Sequence, residues 1–255
     1  MATGVELRQE DPIVNRLVLW NIDLTLMDVA RVSREAYAEA FRRVTGRPLV
    51  ALPQVAGRGD SEIFFESLAL NDVSPGSQQA GQELLARYVG ELAEAFRARR
   101  GLLAQQGRLL PGATAAVQAT AGLPGVIQSV LTGTIRPNAV EKLAAFGLSD
   151  YFDIEIGGYG ADAYPTGSQL LNCRTQAQEK YRTQIPAGAT VYLADSSRDA
   201  EAARIAHVPC IAVASGRSTT SDLTAAGADL ILADLSDTAA VTAAVDRLTR
   251  VGAGR

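Results

Sequence analysis

Short apolar runs that stop abruptly at polar clusters recur along this chain. The first is Arg16-Leu17-Val18-Leu19-Trp20, followed at once by Asn21-Ile22-Asp23. Similar runs occupy residues 126–131, 191–194, 211–214 and 230–232. Continuous runs of this length are how strands read when both faces of a parallel sheet are covered. The stretches between them are alanine-rich with helical spacing, and one has Pro137 near its start and Gly147 just past its end. That asymmetry is usual for helices. The alternation predicts an α/β fold with a Rossmann-like parallel sheet. In such sheets ligands sit beyond the carboxyl ends of the strands.

Residues from 29 to 107 break the rhythm. Val32, Ala36, Tyr37, Ala40, Phe41 and Val44 mark one amphipathic helix, and Leu84, Leu85, Tyr88, Leu92 and Phe96 mark another. Shorter helical material spans 61–70, and the neighbourhood of Gly76 supplies a connecting loop. The expected organisation is a core of 1–28 and 108–255, with an all-α cap inserted at 29–107. There is no internal repeat and no low-complexity tract.

Composition narrows the class. A hydrophobic content of 47% suffices for a packed core, and a net charge of −4 without a basic run gives nucleic acid no electrostatic footing. Cys173 and Cys210 are far apart and lack metal-ligand spacing, which fits a reducing, cytoplasmic setting. The first fifteen residues do not read as a signal peptide, and no apolar run reaches membrane-spanning length. A small molecule is the expected partner.

Candidate chemistry lies at three strand ends. Asn21-Ile22-Asp23-Leu24-Thr25 follows the first strand, Thr132-Gly133 follows the run at 126–131, and Asp195-Ser196-Ser197-Arg198-Asp199 follows the run at 191–194. Each alone reads as a turn with a helix cap. Together, in this order, they converge on one edge of a parallel sheet.

These motifs resemble those of the haloacid dehalogenase-like (HAD) superfamily, in its phosphoglycolate-phosphatase-like branch. That family carries D-x-D-x-T after the first strand, Thr or Ser after the second, a basic residue, and an acidic G-D-x-x-x-D-type motif. Similarity runs from Leu17 to about Leu235 and includes Leu110-Pro111-Gly112, residues 132–148 and residues 216–234. The insert matches a helical cap in position and size, and Gly57-Arg58-Gly59-Asp60 resembles its specificity loop. The resemblance implies an aspartate nucleophile at position 21 and Asp23 as general acid and base. It implies a catalytic role for Thr132, magnesium on residue 21, the Asp23 carbonyl, Asp195 and Asp199, and substrate contacts from Thr25, Gly133, Arg58 and Gly167.

This chain departs from the pattern. Asn21 stands at the nucleophile position, where an amide is a poor nucleophile and a weaker ligand for a hard cation. Aligning Leu170 and Leu171 with the family's helix puts Gly167 at the basic position, with Arg174 and Lys180 further along on helix faces. Ala194 replaces the glycine before Asp195. The paired loss of one negative and one positive charge suits a site that diverged as a whole, whereas an isolated Asp→Asn exchange accounts for Asn21 alone. Magnesium binding is expected to be weak. Three functions follow: non-phosphatase acid/base chemistry through Asp23 with Thr132, a silent ligand- or partner-binding protein, or a phosphatase inactivated at position 21.

Bland readings stand beside the sharper ones. His207 is assigned to a helix-to-strand turn, Cys210 to the core, and Asp60 to a helix N-cap. Arg58 is either a cation at the cleft or a solvated loop residue. Asp199 either reaches the metal shell or holds its own loop. Tyr159 and Tyr164 either line the pocket or decorate a surface loop.

Overall fold

The computed structural model describes residues 15–161 and 165–250, so Tyr164 lies outside the described residues. Strand β1 (Arg16–Trp20) leads through a tight loop to β2 (Met27–Asp28). Helices α1 (Ala30–Thr45), α2 (Asp60–Leu70), α3 (Gln78–Arg97) and α4 (Leu103–Gln106) follow, then β3 (Arg108–Leu109). β2 and β3 pair antiparallel, so the helical segment enters and leaves through one short ribbon. The chain then alternates through α5 (Ala113–Ala121), β4 (Val126–Val130), α6 (Arg136–Ala145), α7 (Thr166–Tyr181) and β5 (Thr190–Ala194). It ends with α8 (Ser197–Ile205), β6 (Cys210–Val213), α9 (Thr220–Ala225), β7 (Leu230–Leu232) and α10 (Thr238–Thr249).

The five-stranded sheet has the order β4-β1-β5-β6-β7 and is parallel throughout. β1 explains its own apolar run. Val18 and Trp20 face a cluster that includes α5, α6, α10 and the inserted helices, whereas Leu17 and Leu19 face α7 and α8. All four are fully buried, and burial of side chains this size contributes about 1.5–3 kcal/mol each. The Trp20 indole donates to Gln128 Oε1 at 2.8 Å, and Gln128 Nε2 donates to the Val117 carbonyl at 3.1 Å, so the one polar atom of that side chain is satisfied.

The inserted helices form where the periodicity places them. The stripe Val32, Ala36, Tyr37, Ala40, Phe41 and Val44 is the buried face of α1, which packs on α3. Phe64 of α2 stacks on Tyr88 of α3 with centroids 4.2 Å apart. Ser77 caps α3 by accepting from the Ala80 amide at 3.1 Å, just after Gly76, whose φ is +79°. The described helices include none long and apolar enough to cross a membrane.

Candidate active site

The parallel register brings the three strand ends together. The Asn21 amide donates to the Leu193 carbonyl at 2.8 Å, and the Leu131 amide donates to the Trp20 carbonyl at 2.9 Å. Asn21, Thr132 and Asp195 therefore emerge on the same edge, where the chain order reverses between β4 and β5 on either side of β1. They open into a cleft of about 790 Å³ between the sheet edge and the inserted helices, also bordered by Asp23 and Arg58. The loop beneath is held tightly. Leu24 takes φ +59°, an uncommon conformation for leucine, and its carbonyl accepts from Ser215 Oγ at 2.6 Å.

Asn21 is buried, and its amide is oriented by its neighbours. Oδ1 accepts from the Ile22 amide at 2.8 Å, while Nδ2 donates to Asp195 Oδ1 at 3.0 Å and to the Asp23 carbonyl at 3.3 Å. The reverse orientation would set an amide oxygen against a carboxylate and a carbonyl, and NH₂ against N–H, so the network fixes the assignment. Thr25 Oγ1 donates to the same Asp195 Oδ1 at 3.0 Å. The other oxygen, Oδ2, is buried without a hydrogen-bond partner among the described residues. Gly216 lies directly against it, and a Cβ there would fall 1.9 Å from Oδ2. Burial pushes the Asp195 carboxyl up to about 7; the charge of Asp199 adds to the rise, and the Thr25 and Asn21 hydrogen bonds oppose it.

Asp23 is held differently. Lys142 Nζ reaches both its oxygens, at 2.9 Å and 2.6 Å, and Thr134 Oγ1 donates to Oδ2 at 3.0 Å. Lys142 is 2% exposed and the Asp23 side chain 38% exposed, so the cation is sealed inside while the carboxylate faces the cleft. The ammonium also lies 5.6 Å from the Phe96 ring centroid, beneath α3. This corrects the expectation that the counter-charge is gone. It comes from α6, and the signal was a lysine between Ala139 and Leu143 on the buried face of that helix.

Other expected residues divide into those at the cleft and those elsewhere. Thr132 borders the cleft with its hydroxyl 3.3 Å from the Thr134 amide. Gly167 does not reach Asp23. It lies in the first turn of α7, and a Cβ there would meet the Ala202 carbonyl of α8 at 3.2 Å, in an adjoining cavity. Arg174 and Lys180 also stay away, and Lys180 pairs with Asp153 and Glu155. Asp199 holds its own loop. It accepts from Ser196 Oγ at 2.5 Å and Tyr192 Oη at 3.2 Å, and burial raises its carboxyl. Tyr159 is buried, donating to the Ile154 carbonyl at 2.6 Å. His207 sits exposed in the turn after α8, and Cys210 is buried in β6.

The inserted segment is joined to the core at a polar seam. Gly59, not Asp60, is the N-cap of α2. The Asp60 carboxylate instead accepts from Tyr37 Oη at 2.6 Å and from the Ile135 amide of the core at 2.8 Å. Its own amide donates to the Gly133 carbonyl at 2.8 Å. Gly133 borders the cleft, but its missing side chain serves this seam, because a Cβ would fall 1.9 Å from the Arg58 carbonyl. The Arg58 guanidinium is taken up by Glu62 and Glu66 of α2. Arg198 of the core crosses to Glu62 at 2.9 Å.

The residues assigned to a divalent cation do not fit one. Where the resemblance needs an oxygen from position 21, a nitrogen faces Asp195 and the Asp23 carbonyl. Asp199 is committed to Ser196 and Tyr192.

Comparison with known proteins agrees with this α/β fold. The family model for haloacid dehalogenase-like hydrolase matches residues 18–204. The chain belongs to the HAD family. Among solved structures, a haloacid dehalogenase-like hydrolase from Bacteroides fragilis is 21% identical, with a TM-score of 0.62 over 87% of this chain and 98% of that one. CbbY from Rhodobacter sphaeroides, solved with phosphate, is 21% identical with a TM-score of 0.62 over 87% and 95%. A predicted phosphoglycolate phosphatase from Haemophilus somnus is 16% identical with a TM-score of 0.60 over 89% and 97%. These likenesses establish the HAD fold. No curated protein matches the chain in sequence.

Proposed function

We propose that this HAD-fold chain has lost the phosphatase nucleophile and performs acid/base chemistry on a small molecule held between core and inserted helices. The observation that carries the reading is the contrast at the end of β1. Residue 21 offers an amide already engaged with Asp195, while Asp23 offers a carboxylate to the cleft, clamped by Lys142 and Thr134. An amide nitrogen cannot carry a phosphoryl group through a covalent intermediate as a carboxylate does. A fixed carboxylate within reach of a ligand can accept a proton. Three hydrogen bonds from two donors, Lys142 Nζ and Thr134 Oγ1, orient it, and the buried ammonium balances its charge before the proton is taken up.

The ligand class follows from the charges at the rim. Arg34 of α1 and Arg217 after β6 border the cleft, and neither has an ion-pair partner among the described residues. Arg58 and Arg198 are taken by glutamates. The cleft also carries aspartates, but among the described residues Arg34 and Arg217 are the cations there left free to hold an anionic group. A small carbonyl compound with one such group is therefore the ligand class we assign. Isomerisation, cyclisation and elimination all have routes through an enolate, which forms when a proton beside such a carbonyl is taken up by Asp23.

A panel of small keto acids and keto sugar phosphates incubated with the protein in deuterated water tests this. NMR should show deuterium entering beside the carbonyl of at least one compound, and Asp23→Asn should abolish it. Incorporation that survives Asp23→Asn would sink the assignment. The engagement of both Asp23 oxygens supports a second reading, a silent binding protein. That reading predicts saturable ligand binding without any exchange.

A further inference from the structure

The bridge made by Asn21 deserves a functional meaning of its own. Its Nδ2 touches Asp195 Oδ1 at 3.0 Å and the Asp23 carbonyl at 3.3 Å, which are two of the oxygens that the resemblance assigns to a divalent cation. Thr25 Oγ1 makes the second donation to Asp195 Oδ1. A cation gathers such oxygens by charge; here N–H and O–H donors gather them instead. We propose that the Asn21 amide is a built-in stand-in for the cation, so that the centre is assembled without a metal ion.

Two further observations agree. Asn21 Oδ1 is turned inward onto the Ile22 amide, so turning it outward to a cation would break that bond and press NH₂ against N–H. Lys142, the nearest cation to Asp23, already neutralises the carboxylate beside the bridge. That leaves Asp195 as the anionic side chain of the bridge, its Oδ1 held by Asn21 and Thr25 and its Oδ2 without a partner among the described residues, fewer charged oxygens than the set that draws a hard cation out of water. Both Asn21 Nδ2 hydrogens and the single Thr25 hydroxyl hydrogen are spent on these oxygens, so the bridge is complete without a ligand or an ion.

The reverse exchange supplies the test. Asn21→Asp would place two carboxylate oxygens about 3 Å apart, an arrangement that calls for a shared cation or a shared proton. Mn²⁺ binding followed by electron paramagnetic resonance should find no site in the wild-type chain that Asp195→Asn removes. Asn21→Asp should gain at least about tenfold in Mn²⁺ affinity, and Asn21→Asp with Asp195→Asn should lose the gain. A wild-type Mn²⁺ site abolished by Asp195→Asn would overturn the proposal, as would a folded Asn21→Asp with no gain.

NMR of the wild-type side-chain amides covers the case in which Asn21→Asp does not fold. The Asn21 NH₂ pair, assigned by its disappearance in Asn21→Ser, should exchange slowly and resist broadening by Mn²⁺. Fast exchange or selective broadening would contradict the bridge. The inference does not depend on the proposed chemistry of Asp23, because a metal bound at Asp195 would defeat it while leaving the deuterium result untouched.

Discussion

Two carboxylates buried in this molecule receive opposite treatment. Asp60, at the seam between inserted helices and core, has a donor for each oxygen: Tyr37 Oη for one and the Ile135 amide for the other. Asp195, at the strand end, has both donors on Oδ1 and none on Oδ2 among the described residues. Burial raises both carboxyls, Asp60 to about 6 and Asp195 to about 7. A fully partnered buried carboxylate reads as construction, since it fixes how two bodies meet. A half-partnered one reads as a site, because evolution rarely leaves a buried lone pair unused without a reason.

Breaking the constructed side should cost most. Asp60→Ala strands the Tyr37 hydroxyl and the Ile135 amide, and should lower unfolding free energy by about 2–3 kcal/mol in urea denaturation. The loss should be larger at pH 5 than at pH 7. The folded Asp60 carboxyl sits above its ordinary value of 3.8, so the folded state holds this proton more tightly than the unfolded state does. Its contribution is full below pH 3.8 and is lost as pH rises through about 6. That decline should amount to roughly 2–3 kcal/mol, and Asp60→Asn should flatten the corresponding part of the wild-type pH–stability curve. A mutant curve with the wild-type slope would assign the effect elsewhere.

The smallest expected loss comes from the clamp on Asp23. Lys142→Met removes a buried cation, but the carboxylate it leaves faces the cleft and can be rehydrated. A cost of about 1–2 kcal/mol is expected, below that of a wholly buried pair. Ligand binding should suffer more than stability, since Asp23 would lose its orientation. A loss above that of Asp60→Ala would show that the clamp, and not the seam, is the structural element.

The fold was largely legible because its signals are local. The β1 run predicts a strand buried on both sides, and Leu17, Val18, Leu19 and Trp20 indeed divide between two clusters. The α1 and α3 stripes predict the insert for the same reason. The three strand ends also meet as their order implied. Charge pairing was not legible, because it depends on where a helix face points. Lys142 looked like any lysine in an alanine-rich helix, although Asn138, Ala139 and Leu143 around it form the buried face of α6. Gly167 opens α7, the helix that carries Leu170 and Leu171, and the core positions Leu170, Cys173 and Ala177 set it against α8; that the charge facing Asp23 comes from a different helix had no signal in this stretch. Asp60 illustrates a third limit: a cap residue and a seam residue have the same sequence signature.

The central claim is that phosphoryl transfer through residue 21 has been given up while Asp23 remains in service. Hydrolysis of an aryl phosphate by the wild-type chain, with and without Mg²⁺ and beside Asp23→Asn, tests it most directly. The account predicts no Mg²⁺-stimulated release of the phenol and equal background rates for the two proteins. Mg²⁺-dependent turnover by the wild type that Asp23→Asn abolishes would contradict it.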